Sequence, residues 1–211
     1  AQQYSVPHFV FSSSCSVYGQ PDALPVTELT PRKEAESPYA RTKQIGEDII
    51  RDFVAAYPSH KATLLRYFNP IGAHPSAQLG EYATFKPNNL APLITDTALG
   101  KRDSLKVFGN QYPTRDGTCV RDYIHVSDIA HAHTLAIKHL LDGKSKEAVE
   151  VFNLGSGEGS TVLEVINAFE AATGVKLNWE FAPSRPGDVV AVYADRTKAQ
   201  HELGWQPKYT L

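Results

Sequence analysis

The chain has 211 residues, of which 42% are hydrophobic and 21% are charged, and its formal net charge is −2. This length suffices for one sizeable core or two small ones, and the charge balance indicates neither a nucleic-acid partner nor a membrane partner. Neither cysteine, Cys15 or Cys119, stands at metal-ligand spacing from any of the eight histidines. We therefore expect free thiols, no metal ion and a cytoplasmic protein.

The first apolar segment, residues 6–11, predicts a short buried strand that leads into a polar loop beginning at Ser12. A second strand is predicted over residues 62–68, and a helical pattern lies between the two. Strand, helix and strand at this spacing indicate a βαβ unit with parallel strands. In such sheets, ligands bind beyond the carboxyl ends of the strands, which here means the segment that contains Ser14.

The helix between these strands has strong start signals. Ser37 is a good N-cap, and Pro38 suits the first helical position because its missing N–H loses no hydrogen bond there. Tyr39 and Lys43 are four residues apart and therefore share one helix face. The helix dipole and the neighbouring ammonium both favour the phenolate, so this tyrosine could act as a general acid and base. Because the same pair also occurs in ordinary amphipathic helices, the interpretation depends on the rest of the chain.

Beyond residue 72 the pattern changes to shorter elements. Residues 73–86 lack periodicity and contain Gly and Pro, which is typical of a functional loop. Asn88 and Asn89 are predicted to cap a helix that runs to Leu99 and ends at Gly100. Further short strands are predicted over residues 105–108, 122–126, 149–154 and 177–181, and further helices over 127–141, 161–172 and 199–203.

The segment from Gly155 to Gly159 follows a predicted strand and precedes a predicted helix. Its glycines run G-x-G-x-G rather than G-x-G-x-x-G, and no acidic residue stands at the later position that would bind a ribose. A tight strand-to-helix turn explains the segment better than a dinucleotide site.

Several short motifs in a fixed order resemble those of the UDP-glucose 4-epimerase (UDP-galactose 4-epimerase) family, within the extended short-chain dehydrogenase/reductase superfamily. They lie at residues 11–14, 17–19, 37–43, 66–70, 72–76, 87–90, 116–118, 120–126 and 153–155. The resemblance covers nearly the whole chain.

The resemblance implies an α/β fold, namely the C-terminal part of a doubly wound, parallel, Rossmann-like sheet together with a smaller mixed α/β substrate domain. Residues 1–72 would be the remainder of the NAD-binding Rossmann domain. Residues 73–211 would mainly form the UDP-sugar-binding domain, with some segments returning to the Rossmann sheet. By comparison with complete members, we expect a fragment that lacks the N-terminal Rossmann half and is inactive when isolated.

The resemblance further implies a reversible inversion at C4 of UDP-glucose and UDP-galactose through a 4-keto sugar, with tightly held NAD, in galactose metabolism. Tyr39 would exchange the proton of the sugar 4-hydroxyl, and Ser14 would hydrogen-bond that hydroxyl. Lys43 would support the phenolate and hydrogen-bond the nicotinamide ribose, and Phe68 would lie against the nicotinamide. The substrate would be a UDP-hexose, and the complete protein would be a homodimer.

At the UDP end, the family pattern implies amides, an apolar wall, two arginines that meet phosphate oxygens in pairs, and a carboxylate for the ribose. The residues at these positions are Asn69, Asn88, Asn89, Leu90, Phe108, Arg121, Arg185 and Asp188. Val192 stands where family members limit the room for the sugar. Since valine is modest in size, we expect at least weak acceptance of UDP-N-acetylgalactosamine. Residues 84–86 depart from the more acidic or glycine-bearing loop that is common in the family.

Other functions stay open at this point. A nucleotide-sugar dehydratase of the same superfamily needs an acidic pair after the strand-end hydroxyl, whereas Cys15 and Ser16 follow Ser14 here. An epimerase or decarboxylase of UDP-glucuronate would need extra basic groups facing the C6 carboxylate, and none is identified. A truncated, non-catalytic UDP-sugar-binding protein is the alternative from another class, although Tyr39, Lys43 and Ser14 are all present.

Overall fold

The computed structural model describes residues 2–81 and 87–211. Its helices are α1 (Pro38–Ala56), α2 (Leu90–Ala98), α3 (Val126–Leu141) and α4 (Val162–Thr173). Its strands are β1 (His8–Ser14), β2 (Lys61–Tyr67), β3 (Asn69–Ile71), β4 (Leu105–Phe108), β5 (Val120–Arg121), β6 (Tyr123–His125), β7 (Val149–Leu154), β8 (Ser160–Thr161), β9 (Trp179–Ala182) and β10 (Ala191–Val192). Single turns of 3₁₀ helix cover Gln2–Tyr4 and Cys15–Tyr18, and a short π-helix covers Ala199–Leu203.

The main sheet has the strand order β1-β2-β7, and both pairings are parallel. The predicted βαβ unit is therefore confirmed, with α1 connecting β1 to β2. The prediction that the first strand gives way to a loop at Ser12 is wrong: β1 continues to Ser14, because Ser12, Ser13 and Ser14 keep pairing with β2 up to Tyr67. All six residues of β7 are buried, so a strand from the second half of the chain completes this sheet.

Helices cover both faces of the main sheet, as expected for a parallel sheet that is buried on both sides. On one face, α1 packs through Val54 onto a cluster that includes Leu64 and Val151. On the other face, α3 and the π-helix pack onto Leu65 and Phe152. This arrangement is the doubly wound α/β fold that the sequence predicts.

Helix α1 begins where the sequence predicts. The Ser37 side chain accepts a hydrogen bond from the Ala40 N–H at 3.1 Å, and Pro38 is the first helical residue. The helix also comes unusually close to β1: a Cβ added at Gly46 would lie only 2.5 Å from the Phe11 ring. Glycine at this position therefore allows α1 to pack directly against the strand that carries Ser14.

The rest of the chain forms small sheets with the orders β10-β5-β8, β3-β6 and β4-β9. Helices α2 and α4 pack with the last of these around Ile94, Val107 and Ile166. The predicted start of α2 at Leu90 is confirmed, although its predicted cap is wrong, and the predicted start of α3 is corrected. Asn89 precedes α2 but makes no side-chain capping bond, and α3 begins at Val126 with the His125 ring accepting from the Ser127 N–H.

Within residues 2–81 and 87–211, no helix is both long enough and apolar enough to cross a membrane. The same part of the chain contains no group of three or more His, Cys, Asp or Glu side chains placed to hold a metal ion.

Candidate active site

The three predicted catalytic residues lie around the carboxyl end of β1. Ser14 is the last residue of β1 and is 7% exposed, and its hydroxyl accepts a hydrogen bond from the Ser16 N–H at 3.2 Å. Tyr39, in the first turn of α1, is 56% exposed. Lys43 Nζ donates to the Ser12 carbonyl oxygen at 2.9 Å and lies 5.5 Å from the centre of the Tyr39 ring. The structure thus brings Tyr39 and Lys43 to the strand end that carries Ser14.

The chemistry of this group suits a nicotinamide nucleotide. An ammonium has three N–H donors, and within the part of the chain that the structure describes Lys43 uses one of them, on the Ser12 carbonyl. The Phe11 ring centre, 5.4 Å from Lys43 Nζ, helps to orient the ammonium. The donors that remain are the kind that ribose hydroxyls require.

A buried polar network that the sequence analysis missed supports this end of α1. Glu47, one turn beyond Lys43, pairs with Arg66 of β2 through two hydrogen bonds of 2.9 and 2.7 Å. Burial raises the pKa of Glu47, but the bonds and charge of Arg66 outweigh it, so the net pKa lies below the usual range. Ser13 donates to the same carboxylate at 2.6 Å. An arginine inside an apolar strand was the available signal, since a buried arginine needs a partner.

A second missed group lies where β2 ends. Tyr67 donates to the Ser12 Oγ at 2.8 Å, and its hydroxyl lies 2.5 Å from the His133 Nε2 of α3. Burial is the main cause of a raised pKa for Tyr67. Ser12 therefore meets Lys43 through its carbonyl and Tyr67 through its hydroxyl, which joins the ends of β1 and β2.

A cavity of about 730 Å³ opens where β3, α2, β4 and β5 meet. Of the residues predicted to bind the UDP-sugar, those lining it are Asn69, Asn88, Asn89, Leu90, Phe108, Arg121, Arg185 and Asp188. Segments far apart in sequence therefore converge on one pocket, as the family pattern implies. Residues 84–86, whose departure from that pattern was noted above, lie outside the described residues.

The two cavity arginines are held differently. Arg121 donates to the Val189 carbonyl at 2.6 Å and to Asp188 at 3.3 Å, and these two bonds fix the position of its guanidinium group. The Arg185 guanidinium carbon lies 3.8 Å from the centre of the Phe108 ring, a close cation–π contact. Arg185 covers one face of the ring that is predicted to pack on the uracil.

The structure places Phe68 and Val192 away from this cavity wall, in one buried apolar cluster with Val17 and Tyr18. Phe68 is 4% exposed and Val192 is 6% exposed. Val17 and Tyr18 belong to the turn that follows Ser14, so the cluster packs against the segment next to Ser14. The roles of Phe68 and Val192 toward ligands stay predictions.

The glycine-rich segment is tied into the protein interior by a carboxylate. Asp122 accepts from the N–H groups of Ser156 at 2.6 Å, Gly157 at 3.2 Å and Ala194 at 3.0 Å. Burial raises the pKa of Asp122, while these hydrogen bonds oppose that shift. Because Asp122 occupies these N–H groups, they are not directed toward a phosphate, which agrees with the interpretation as a structural turn.

These features define a Rossmann-like α/β protein with serine, tyrosine and lysine at the carboxyl end of β1 and a separate cavity of about 730 Å³ that begins at Asn69, just beyond β2. A protein-family model described as GDP-mannose 4,6 dehydratase matches residues 2–211. The chain therefore belongs to that family.

Individual relatives within this family give a more specific comparison than the family model. UDP-glucose 4-epimerase 1 of Oryza sativa subsp. japonica is 50% identical over 200 residues, covering 95% of this chain and 56% of the relative. Among solved structures, UDP-glucose 4-epimerase from Bifidobacterium longum in complex with NAD+ and UDP is 47% identical with a TM-score of 0.93, covering 99% of this chain and 61% of that one.

A second solved structure is UDP-glucose-4-epimerase from Stenotrophomonas maltophila with bound NAD and formylated UDP-arabinopyranose. It is 44% identical with a TM-score of 0.94, and the match covers 99% of this chain and 61% of that one. These similarities confirm the resemblance to UDP-glucose 4-epimerases that the motifs predict. The chain spans less than two thirds of the length of these relatives.

Proposed function

We propose that this chain is the catalytic and UDP-sugar-binding part of an NAD-dependent UDP-glucose 4-epimerase that interconverts UDP-glucose and UDP-galactose. The observation that carries the proposal is the arrangement of Tyr39 and Lys43 at the end of β1 beside Ser14. The cavity with Arg121 and Arg185 supports a substrate that bears a diphosphate. The proposal includes a role in galactose metabolism in the cytoplasm.

The residues of this chain control the proton and the position of the sugar. The Tyr39 phenolate takes the proton of the 4-hydroxyl and, as the neutral phenol, later returns it. The Lys43 ammonium, 5.5 Å from the ring centre, stabilises the phenolate that is present before the first step and after the second. The Ser14 hydroxyl donates to the sugar O4 and fixes its direction. Lys43, Ser14, Tyr39 and Phe68 would hold part of NAD, which would supply reversible hydride transfer at C4 of the sugar.

The UDP moiety anchors the substrate while the sugar turns over. The Arg121 and Arg185 guanidinium groups pair with diphosphate oxygens, and the Phe108 ring packs on the uracil. Asn69, Asn88 and Asn89 contribute amides, Leu90 backs the uridine, and Asp188 accepts a ribose hydroxyl. Binding energy from these remote groups holds the reacting carbon in place without contacting it.

A dehydratase is the second candidate, because the matching family model carries that name. Elimination of water needs an acid after the strand-end hydroxyl, and Cys15 occupies that position here. Burial raises the pKa of the Cys15 thiol to about 12, so it is a poor proton donor in place of a carboxylic acid. This observation favours epimerisation.

The test is conversion of UDP-galactose to UDP-glucose by the complete protein, with Tyr39→Phe as the control variant. We expect turnover by the wild type and severe loss in the variant. Formation of a 4-keto-6-deoxy sugar would favour the dehydratase, and binding of UDP without turnover would favour the non-catalytic alternative. We also propose that residues 1–211 alone are inactive, and measurable turnover by them would contradict this.

Two finer properties belong to the same proposal. We propose that Val192 leaves room for UDP-N-acetylgalactosamine, and complete absence of turnover of that sugar by the full enzyme would contradict this. We also propose a homodimer, for which the exposed apolar side chains of α1, Ile45 and Ile49, offer one surface. A monomeric mass of the complete protein in sedimentation equilibrium would exclude it.

A further inference from the structure

Glu47 and Arg66 form an ion pair in the interior of the protein, with the carboxylate side chain 0% exposed and the guanidinium side chain 3% exposed. The pair is bidentate: Arg66 Nε donates to Glu47 Oε1 at 2.9 Å, and Arg66 Nη2 donates to Oε2 at 2.7 Å. This geometry fixes direction as well as distance, since two parallel bonds resist rotation of either group.

The position of the pair links the elements that carry Tyr39, Lys43 and Ser14. Glu47 lies one helical turn beyond Lys43 on α1, and its Oε1 also accepts from the Ser13 hydroxyl at 2.6 Å. Ser13 directly precedes Ser14 on β1, and Arg66 lies on β2. One carboxylate therefore joins the helix of the proposed acid–base group to the two strands whose ends form the site.

Helix α1 also contacts β1 at a second point, and together with the bonds of Glu47 this contact restricts rotation of the helix. Gly46 lies against the Phe11 ring so closely that an added Cβ would be 2.5 Å from it. Glu47 is fixed to Ser13 and Arg66 beside that contact. Two neighbouring attachments hold α1 both against sliding along β1 and against turning about its own axis.

The network continues beneath the turn that follows Ser14. The Arg66 guanidinium carbon lies 4.7 Å from the centre of the Tyr18 ring, and the Tyr18 hydroxyl donates to Asn153 Oδ1 of β7 at 2.6 Å. Burial raises the pKa of Tyr18 to about 12, so the phenol remains a donor to Asn153. The backbone on both sides of Ser14 is thereby attached to the same pair.

A buried ion pair is a weak means of stabilising a fold, because apolar residues of similar volume often serve as well. Its directional bonds are better suited to fixing geometry, and misplacement of a catalytic group by about 1 Å can reduce a rate by about 10²-fold. We propose that Glu47 and Arg66 are positioning residues that hold Tyr39 and Lys43 in register with Ser14. The inference rests on the proposed epimerase function.

The experiment measures kcat, KM for UDP-galactose and thermal stability of the complete enzyme. The variants are Glu47→Gln, Ser13→Ala and the double variant Glu47→Gln with Arg66→Met. The matched control is Glu150→Gln. Glu150 is also a buried carboxylate, at 2% exposure, with its Oε2 2.9 Å from His139 Nε2, but it lies on β7 away from Tyr39.

For Glu47→Gln we expect kcat to fall by about 10²-fold, the misplacement effect stated above, with little change in KM. The double variant removes both buried charges, so its stability should recover toward that of the wild type while its kcat stays low. Ser13→Ala keeps the ion pair and should fold normally, with a several-fold smaller kcat. The Glu150→Gln control should lose stability without a matching loss of kcat.

A purely structural role gives a different pattern. If kcat recovers together with stability in the double variant, or if Ser13→Ala and Glu150→Gln leave kcat equally unchanged, the positioning role is wrong. Failure of the proposed function would be visible separately, because the wild-type enzyme itself would then not convert UDP-galactose.

Discussion

The two halves of the site are built in different ways. Tyr39 and Lys43 stand on a long helix, and Ser14 stands on a seven-residue strand. Buried Glu47 joins this helix to Ser13 of the same strand by one hydrogen bond and to Arg66 of β2 by two. The cavity proposed to bind UDP is assembled from loops, strands of two to four residues and single faces of α2, α3 and α4. Its arginines bond to backbone carbonyls or cover an aromatic ring.

The difference in construction matches the two proposed tasks, proton exchange and UDP binding. Proton exchange depends steeply on distance and direction, which rigid elements with a buried polar link can fix. Holding a diphosphate and a uracil depends on charge and apolar area, which longer side chains on loops can supply with less exact placement. Changes in the first region should therefore alter kcat, and changes in the second should alter KM.

The expected division is that the acid–base region controls kcat and the cavity controls KM. The variant with the largest expected effect on it is Tyr39→Phe in the complete enzyme. Removing the hydroxyl removes the group that exchanges the proton, and general acid–base catalysis contributes about 10²- to 10⁴-fold to a rate. We expect kcat to fall within that range while KM changes little. Steady-state kinetics with UDP-galactose provide the measurement, and a large rise in KM at constant kcat would break the division.

The second effect is on stability and its pH dependence. Replacing Glu47 by Gln leaves Arg66 buried without its counter-charge, which should reduce the free energy of unfolding by about 3–5 kcal/mol at pH 7. Although burial opposes it, Arg66 above all, with the Ser13 hydroxyl and the charge of Arg32, lowers the pKa of Glu47 in the folded state below the ordinary value of 4.5. The stability from the ionised carboxylate is therefore complete above about pH 4.5 and is lost as the pH falls through the folded-state value.

Denaturant unfolding at a series of pH values checks this. The difference in unfolding free energy between the wild type and Glu47→Gln should shrink as the pH falls below about 4.5, because protonated Glu47 then resembles the amide. A difference that stays constant down to pH 3 would show that Glu47 is not held ionised by Arg66.

A smaller effect is expected in the second region. Arg185→Ala removes a charge-assisted bond to the diphosphate, a loss of about 1.5–3 kcal/mol, so KM should rise about 10- to 100-fold while kcat changes little. Arg115→Ala is the matched control, because Arg115 is an exposed arginine that pairs with Glu164 away from the cavity. Its loss should leave both constants near the wild-type values, and an equal rise in KM would indicate a non-specific charge effect.

The smallest expected effects come from removing two helix caps, one in each region. Ser37→Ala and Thr161→Ala each remove a hydroxyl that caps a helix. Ser37→Ala should lower stability by about 1 kcal/mol, and Thr161→Ala should cost more, because the buried Thr161 hydroxyl also donates to Asp116. Loosening α1 should reduce kcat more than it raises KM, whereas loosening α4, whose Val162 and Val165 line the cavity, should do the reverse. Identical kinetic changes in the two variants would argue against separate roles.

The sequence predicted most of what depends on local signals. Ser37 and Pro38 defined the start of α1, and apolar runs defined β2 and β7. Order along the chain could not reveal that β7 returns to pair with β2, since that pairing depends on long-range packing. The end of β1 was missed for a related reason: Ser12, Ser13 and Ser14 are polar, and only their ladder with β2 makes them strand.

The site was predicted unevenly as well. Tyr39, Lys43 and the cavity residues were found because they fall in motifs, yet Glu47 and Arg66 are separated by 19 residues and were not linked. Glu47 reads as an ordinary polar helix position until its burial is known. Partnership between buried charges is a property of the tertiary structure, so helix periodicity alone did not show it.

The most direct test of the division is the affinity of UDP itself, measured by titration calorimetry on the complete wild-type enzyme, Tyr39→Phe and Arg185→Ala. UDP carries no hexose, so its affinity depends on the cavity and not on the acid–base group. Tyr39→Phe should bind UDP as tightly as the wild type, and Arg185→Ala should bind it at least about tenfold more weakly. If Tyr39→Phe loses as much affinity as Arg185→Ala, the two regions do not have separate tasks.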